Sequence, residues 1–196
     1  MVLGRGLGAG SDRIKRDASL SLAFAPDLEL ADRATRAAVL AALRTELAAG
    51  GPSRTSLLIT VRRLRLDRAL DLLVPHFLDD RSPDLRRALG VAIGTLDAYA
   101  AIRLIDAQLP ADVPGRRRAV DLLRGLGDPR ARATLERALE SDDCDLRLDA
   151  GAALLELGAS AADLSELVDE PFAASCVARR RAARPTFRSI LQGVHR

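Results

Sequence analysis

The chain of 196 residues has no tryptophan, one tyrosine (Tyr99), one lysine (Lys15), two histidines and two cysteines. Each scarcity closes off a class of function. Cys144 and Cys176, with no CxxC and no Cys/His cluster beside them, do not make a disulfide framework or a zinc site, and buried or half-buried reduced thiols are expected. With histidine only at His76 and His195, the chain carries no HExxH, paired Cys–His or nucleophile elbow. An aromatic content of 3% leaves little to stack on a displaced nucleobase, which argues against glycosylase-type activity on alkylated DNA. No stretch approaches the roughly 18 uninterrupted apolar residues of a membrane helix, and the opening residues lack the apolar core of a secretory signal. A cytoplasmic protein is the expectation. Gly4, Gly6, Gly8 and Gly10 suggest a phosphate loop, but no strand precedes them and Ala9 stands where GxGxxG needs its third glycine. Residues 1–10 therefore read as a flexible N-terminus.

What the chain does hold is alanine, leucine and valine, which supply most of its 48% hydrophobic content. Alanine and leucine favour helix strongly, and Leu57 to Val61, the only β-branched run, sits in apolar spacing that reads equally well as helix. The fold class is all-α. Within it, one text recurs about every 30 residues. Arg54, Arg86, Arg116 and Arg147 read as equivalent. After the last three, Leu89/Ala119/Ala150, Ile93/Leu123/Leu154 and Leu96/Leu126/Leu157 align, and a second stripe follows through Leu70/Val74/Leu78, Ala101/Ile105/Leu109 and Ala131/Leu135/Leu139. Two short amphipathic helices per period cannot cover their own apolar stripes, so stacking on neighbours must bury them.

Punctuation places the elements. Ser11 and Asp12 offer an N-cap for a first helix to Phe24. A long helix runs from Asp27 to Ala48, its apolar line passing through Leu30, Ala34, Ala37, Leu40 and Leu43, until Gly50-Gly51-Pro52 stops it. Ser53 caps a helix to Leu64, whose partner runs from Asp67 to Leu78 with a kink or early end at Pro75. Helices 84–96 and 98–109, 115–126 and 128–140, and 145–157 and 161–169 follow in pairs. Asp79-Asp80 and Asp142-Asp143 fall in equivalent linkers and read as turns and caps rather than metal ligands. Pro171 ends the last pair.

Around Asp84-Leu85-Arg86, Gly127-Asp128-Pro129-Arg130-Ala131 and Asp145-Leu146-Arg147 the chain resembles HEAT-like repeats of the short bacterial kind, often grouped with phycobilisome lyase-type repeats. The likeness covers Pro83–Gly158 well and Ser53–Leu78 fairly. It implies a right-handed α-solenoid of about five antiparallel helix pairs, with a repeat domain over 11–171 and a basic C-terminal capping helix over 172–196. It also implies that the recurring arginines pair with acids and carbonyls between layers rather than with a ligand.

Charge placement supplies the functional candidates. From Phe172 onward stand Arg179, Arg180, Arg181, Arg184, Arg188 and Arg196 with no acid, which leaves 24 basic against 27 acidic side chains in the rest. Nucleic-acid binding through Arg179, Arg180, Arg181, Arg184 and Arg188 is the alternative reading, with Arg62, Arg63, Arg65 and Arg68 as a second cluster. The favoured reading is a non-catalytic protein-binding scaffold or adaptor, because solenoids present long concave surfaces. The outward polar residues of the second helices are then the contact candidates: Arg68 and Asp71; Tyr99, Arg103 and Asp106; Arg132 and Glu136; Asp163 and Glu166. Their mixed signs suit a protein surface better than a phosphate track. The residues nominate no catalytic group, metal ligand or cofactor, and the expected partner is another protein.

Overall fold

Five helices of this protein begin in the same way. Asp32, Ser82, Asp97, Asp112 and Asp143 each stand just before a helix and accept a hydrogen bond from the backbone amide three residues on, at Thr35, Leu85, Ala100, Gly115 and Leu146. Each such cap satisfies an amide the helix itself cannot, and its loss costs about 1 kcal/mol. The elements so defined come from a computed structural model describing residues 7, 12–26, 31–80 and 82–160. Among the described residues all regular structure is helical, and no helix is long and apolar enough to cross a membrane. The chain divides into two compact units, Met1–Pro110 and Ala111–Arg196.

The first unit holds α1 (Asp12–Ala23), α2 (Arg33–Ala49), α3 (Arg54–Leu64), a 3-10 turn (Asp67–Ala69) leading into α4 (Leu70–Asp79), α5 (Pro83–Ile93) and α6 (Ala98–Ala107). Helix α3 lies at its centre, against α1, α2 and α5, and buries Leu57, Leu58, Val61 and Leu64. Polar contacts fix the directions. The Ser19 and Ser56 hydroxyls meet at 2.7 Å, and Arg63 donates to the Ala23 carbonyl at 2.9 Å, so α1 and α3 run the same way. Arg36, near the start of α2, donates to the Leu64 carbonyl at the end of α3, while Glu46, near the end of α2, accepts from the Ser53 amide at the start of α3. Those two helices are therefore antiparallel. Helix α4 packs on α5 and on α6, and the Asp97 amide donates to Asp67 Oδ1 at 3.1 Å, which sets the starts of α4 and α6 side by side.

The second unit holds α7 (Val113–Leu126), a 3-10 turn (Pro129–Ala131), α8 (Arg132–Leu139) and α9 (Cys144–Glu156). Leu123, Leu135, Leu139, Leu146 and Leu154 fill the space between them. Arg117 on α7 reaches Asp145 at 3.3 Å and Asp149 at 3.2 Å on α9, and Arg124 reaches Glu156 at 3.7 Å. Arg117 to Asp149 and Arg124 to Glu156 keep one sequence offset, as parallel helices require.

Several expectations change against this frame. The long second helix starts at Arg33, where Asp32 caps it; Asp27 to Leu30 lie outside the described residues. Its buried line is Val39, Leu43, Glu46 and Leu47, whereas Ala34 and Ala37 face solvent. Small alanines fit either face, so they misled the pattern. Ser53 precedes α3 but does not cap it: its ψ of −1° is helical, the cap geometry needs an extended residue, and its buried Oγ finds no partner among the described residues. Pro75 neither ends nor shortens α4, which continues to Asp79; proline removes the hydrogen bond to the carbonyl of Asp71, an exposed residue whose carbonyl water can reach. The expected helix over 161–169, the N-terminal stretch 1–10 apart from buried Leu7, and the basic segment 172–196 lie outside the described residues.

Two helix-interior glycines test how tightly these layers meet. A Cβ at Gly90 would stand 3.2 Å from Cε2 of buried Phe77, whereas at Gly125 it would meet nothing within 4 Å. Alanine gains up to about 1 kcal/mol over glycine in a helix. Gly125→Ala is therefore expected to raise stability by about 0.5–1 kcal/mol. Gly90→Ala should fall short of that by about 1 kcal/mol because Phe77 must move. Urea denaturation of both variants checks this, and equal gains would show that Phe77 yields freely.

Candidate interaction surface

The apolar stripes identified by repetition are the surfaces the structure buries. Leu89, Ala119, Ala150, Ile93, Leu123 and Leu154 are inaccessible or nearly so, as are Leu70, Val74, Ala101, Ile105, Ala131 and Leu135. Only the ends of the stripes, Leu109, Leu126 and Leu157, emerge to half-burial. With one face of α4, α6 and α8 consumed in this way, their remaining residues point outward. Arg68, Asp71, Arg103, Asp106 and Arg132 are exposed, and Tyr99 is 46% exposed. Glu136 is half-buried because it accepts from Arg132 Nε at 2.7 Å, one helical turn away. That pair is a local i,i+4 bridge worth about 0.3–0.5 kcal/mol.

The structure brings Arg68, Asp71, Tyr99, Arg103 and Asp106 into the first unit, on the packed helices α4 and α6 and the turn before them. Arg132 and Glu136 belong to the second unit. Asp163, Glu166 and the arginines at 179, 180, 181, 184 and 188 lie outside the described residues.

The recurring arginines have a structural task. Arg86 donates to the Asp80 carbonyl at 3.1 Å and Arg116 to the Ala111 carbonyl at 3.0 Å, both just upstream of the caps Ser82 and Asp112. Arg36 does the same to Ala31 at 3.1 Å, upstream of Asp32. In each case the arginine is the fourth residue after the cap, and its amide donates to the cap's own carbonyl, as that of Arg147 does to Asp143. Arg54 stands in a different register, immediately after Ser53, although it too turns back to a carbonyl, that of Gly51 at 2.9 Å. The Asp/Ser-x-x-x-Arg spacing at 32–36, 82–86, 112–116 and 143–147 was available in the sequence and would have found Arg36. The flanking acids serve elsewhere: Asp84 lies 3.7 Å from Arg87, and Asp145 pairs with Arg117.

Two of the four linker aspartates act as turn and cap residues, while Asp79 is the last residue of α4. Asp80 accepts from the Ser82 amide at 2.6 Å, and Asp143 caps α9. No group of three or more His, Cys, Asp or Glu among the described residues is placed to hold a metal ion. His76 is half-buried on α4, and His195 lies outside the described residues. Cys144 corrects the thiol expectation. It is half-buried at the start of α9, but it is disulfide-bonded, and Cys176 lies outside the described residues. One pair of distant cysteines carries none of the spacing cues from which bonding is read. Disulfides persist in oxidising surroundings, so the cysteines give no ground for a reducing compartment. No protein-family model matches this chain, and no curated protein matches it.

Two measurements follow from these side chains. Arg86→Gln removes a charge-assisted bond from a half-buried site and is expected to cost about 1 kcal/mol in denaturant unfolding, with partner binding unchanged. Lost binding at full stability would instead make the recurring arginines a contact surface. In the Gly127-Asp128-Pro129-Arg130 turn, the Arg130 guanidinium and then its backbone amide hold the Asp128 carboxyl at about 2, below its ordinary 3.8. A carboxylate depressed in the folded state contributes stability that is complete above about pH 4 and lost as pH falls toward 2. Thermal melts between pH 2 and 5 should therefore show a shallower acid slope in Asp128→Asn than in the natural chain.

Proposed function

We propose that this chain is a HEAT-like repeat protein that acts as a non-catalytic protein-binding scaffold or adaptor, and that its contact face lies on α4 and α6. The observation that carries the reading is the outward set Arg68, Asp71, Tyr99, Arg103 and Asp106 over a stripe that is buried beneath it. The set mixes both charge signs with the only tyrosine of the chain. Tyrosine and arginine are enriched at interface hot spots because they supply large contact area together with directed hydrogen bonds.

The repeat reading draws support from the way elements two apart pack. Helices α3 and α5, α4 and α6, and α7 and α9 are neighbours, as layers of a repeat would be. The ion pairs between α7 and α9 and the Asp67–Asp97 contact between the starts of α4 and α6 give those neighbours a common direction. A shared cap-and-arginine start on α5, α7 and α9 fits the same picture, while its recurrence on α2 falls outside that two-helix period.

Affinity capture from native lysate tests the function, using the natural chain beside the double variant Tyr99→Ala/Arg103→Ala. A discrete protein should survive nuclease and moderate salt on the natural chain and fall at least tenfold on the variant, since central hot spots cost about 2 kcal/mol or more each. Recovery of nucleic acid that salt releases, or equal capture by both chains, would overturn the reading.

A further inference from the structure

Where α3 gives way to the 3-10 turn, the backbone takes a conformation its residue disfavours. Arg65 has φ 46° and ψ 56°, and it is the only non-glycine at positive φ among the described residues. The other three such positions are Gly50, Gly127 and Gly158. At Arg65 the turn closes through amide bonds from Arg65 to the Arg62 carbonyl and from Leu66 to the Val61 carbonyl, both 3.1 Å. Gly50 and Gly51 close the end of α2 with the same pattern onto Leu47 and Glu46. Glycine would thus serve the turn better than an L side chain does, so the geometry does not account for the arginine.

The neighbouring arginines are equally unspent. Arg36, Arg54, Arg63, Arg86 and Arg116 bond carbonyls, and Arg117, Arg124, Arg130 and Arg132 meet carboxylates. Among the described residues the side chains of Arg62, Arg65 and Arg68 find no hydrogen-bond or ion-pair partner, and the Nε of Arg62 is buried without an acceptor. Buried donors are normally satisfied. Leu64 and Leu66 turn inward, which leaves Arg65 and Arg68 exposed on the surface of the turn.

We propose that this turn anchors the carboxylates of an acidic segment in a protein partner, with Arg65 and Arg68 as the direct contacts and Arg62 beneath them. The inference rests on the protein-binding reading above and names the chemistry of the partner. Interleaved acids favour a peptide over a polyphosphate backbone. Asp71 is exposed one helical turn beyond Arg68, and Asp67, already holding the Asp97 amide, stands between Arg65 and Arg68. A continuous row of phosphates would meet both acids, whereas two or three glutamates or aspartates can address single guanidinium forks. Contacts at so exposed a site weaken as salt rises.

The test titrates the full chain at low salt with a fluorescein-labelled hexaglutamate peptide and, separately, with a single-stranded hexathymidine oligonucleotide. The variant Arg65→Gly/Arg68→Gln places glycine in its favoured conformation, so its melting temperature should match or exceed that of the natural chain. Peptide affinity should drop about tenfold in the variant, as for loss of two direct charge contacts, while oligonucleotide affinity stays unchanged. Unchanged peptide affinity would overturn the proposal, and so would an oligonucleotide loss as large as the peptide loss. A natural partner lost by Tyr99→Ala/Arg103→Ala but fully kept by Arg65→Gly/Arg68→Gln would sink the anchor and leave the α4/α6 face standing.

Discussion

The helices run from eight residues in α8 to seventeen in α2, and most fall at or below the roughly 12–15 residues under which an isolated helix is marginal in water. At such lengths the unsatisfied groups of the ends rival the bonds of the middle, and the structure depends on how those ends are met. A cap side chain answers an amide at the start. An arginine one turn later folds back to a carbonyl of the preceding linker, fixing where the chain enters. Gly50, Arg65, Gly127 and Gly158 reverse the chain at positive φ. Two arginines carry the same logic between helices: Arg63 meets the end of α1, and Arg36 the end of α3. A cation is favoured at a helix C-terminus on dipole grounds as well, so these contacts set direction and offset partial charge together.

Repetition made the buried stripes of α5, α7 and α9 legible, because three copies of one pattern average out the ambiguity of any single residue. Where no copy exists the pattern failed. In α2, Ala34 and Ala37 fit an apolar line but face water, and buried Glu46 was invisible to it. Glu46 is tolerated because its Oε2 accepts the Ser53 amide and lies where a Cβ of Gly51 would otherwise stand. That arrangement is tertiary and leaves no local mark. The missing cap at Ser53 and the left-handed Arg65 likewise leave no mark in the local sequence, since serine is an ordinary cap residue and arginine is not one that signals positive φ.

The candidate surface was legible for a simpler reason. Periodicity names the buried face, and the residues left over are exposed almost by default, as Arg68, Asp71, Tyr99, Arg103 and Asp106 are. Pairing between exposed residues is a different quantity. Arg132 and Glu136 satisfy each other across one turn, and the four-residue spacing that permits this was visible without showing that it happens. The arginine ladder misled in the opposite sense. Its members were aligned by similarity of text, which put Arg54 in place of Arg36; aligned by distance from the cap, Arg36 joins the set and Arg54 leaves it.

A chain that draws nearly all its positive charge from arginine must assign each guanidinium a place, and most here are assigned to the frame. The buried polar contacts are held to the same strict accounting. Ser19 can donate to the Arg16 carbonyl and Ser56 to the Ser53 carbonyl, yet the two hydroxyls also meet each other at 2.7 Å. Two protons cannot serve three bonds, so one carbonyl contact must give way whenever the hydroxyls bond. Within a frame so economical, charged groups that bond nothing stand out more than any local excess of charge does. Among the described residues Arg33, Arg44 and Arg103 also bond nothing, but Arg62, Arg65 and Arg68 combine that with a buried unsatisfied Nε and a turn that glycine would form with less strain. Net charge near neutrality in the body of the chain would hide them, and only the assignment of each neighbouring arginine to its carbonyl or carboxylate brings them into view.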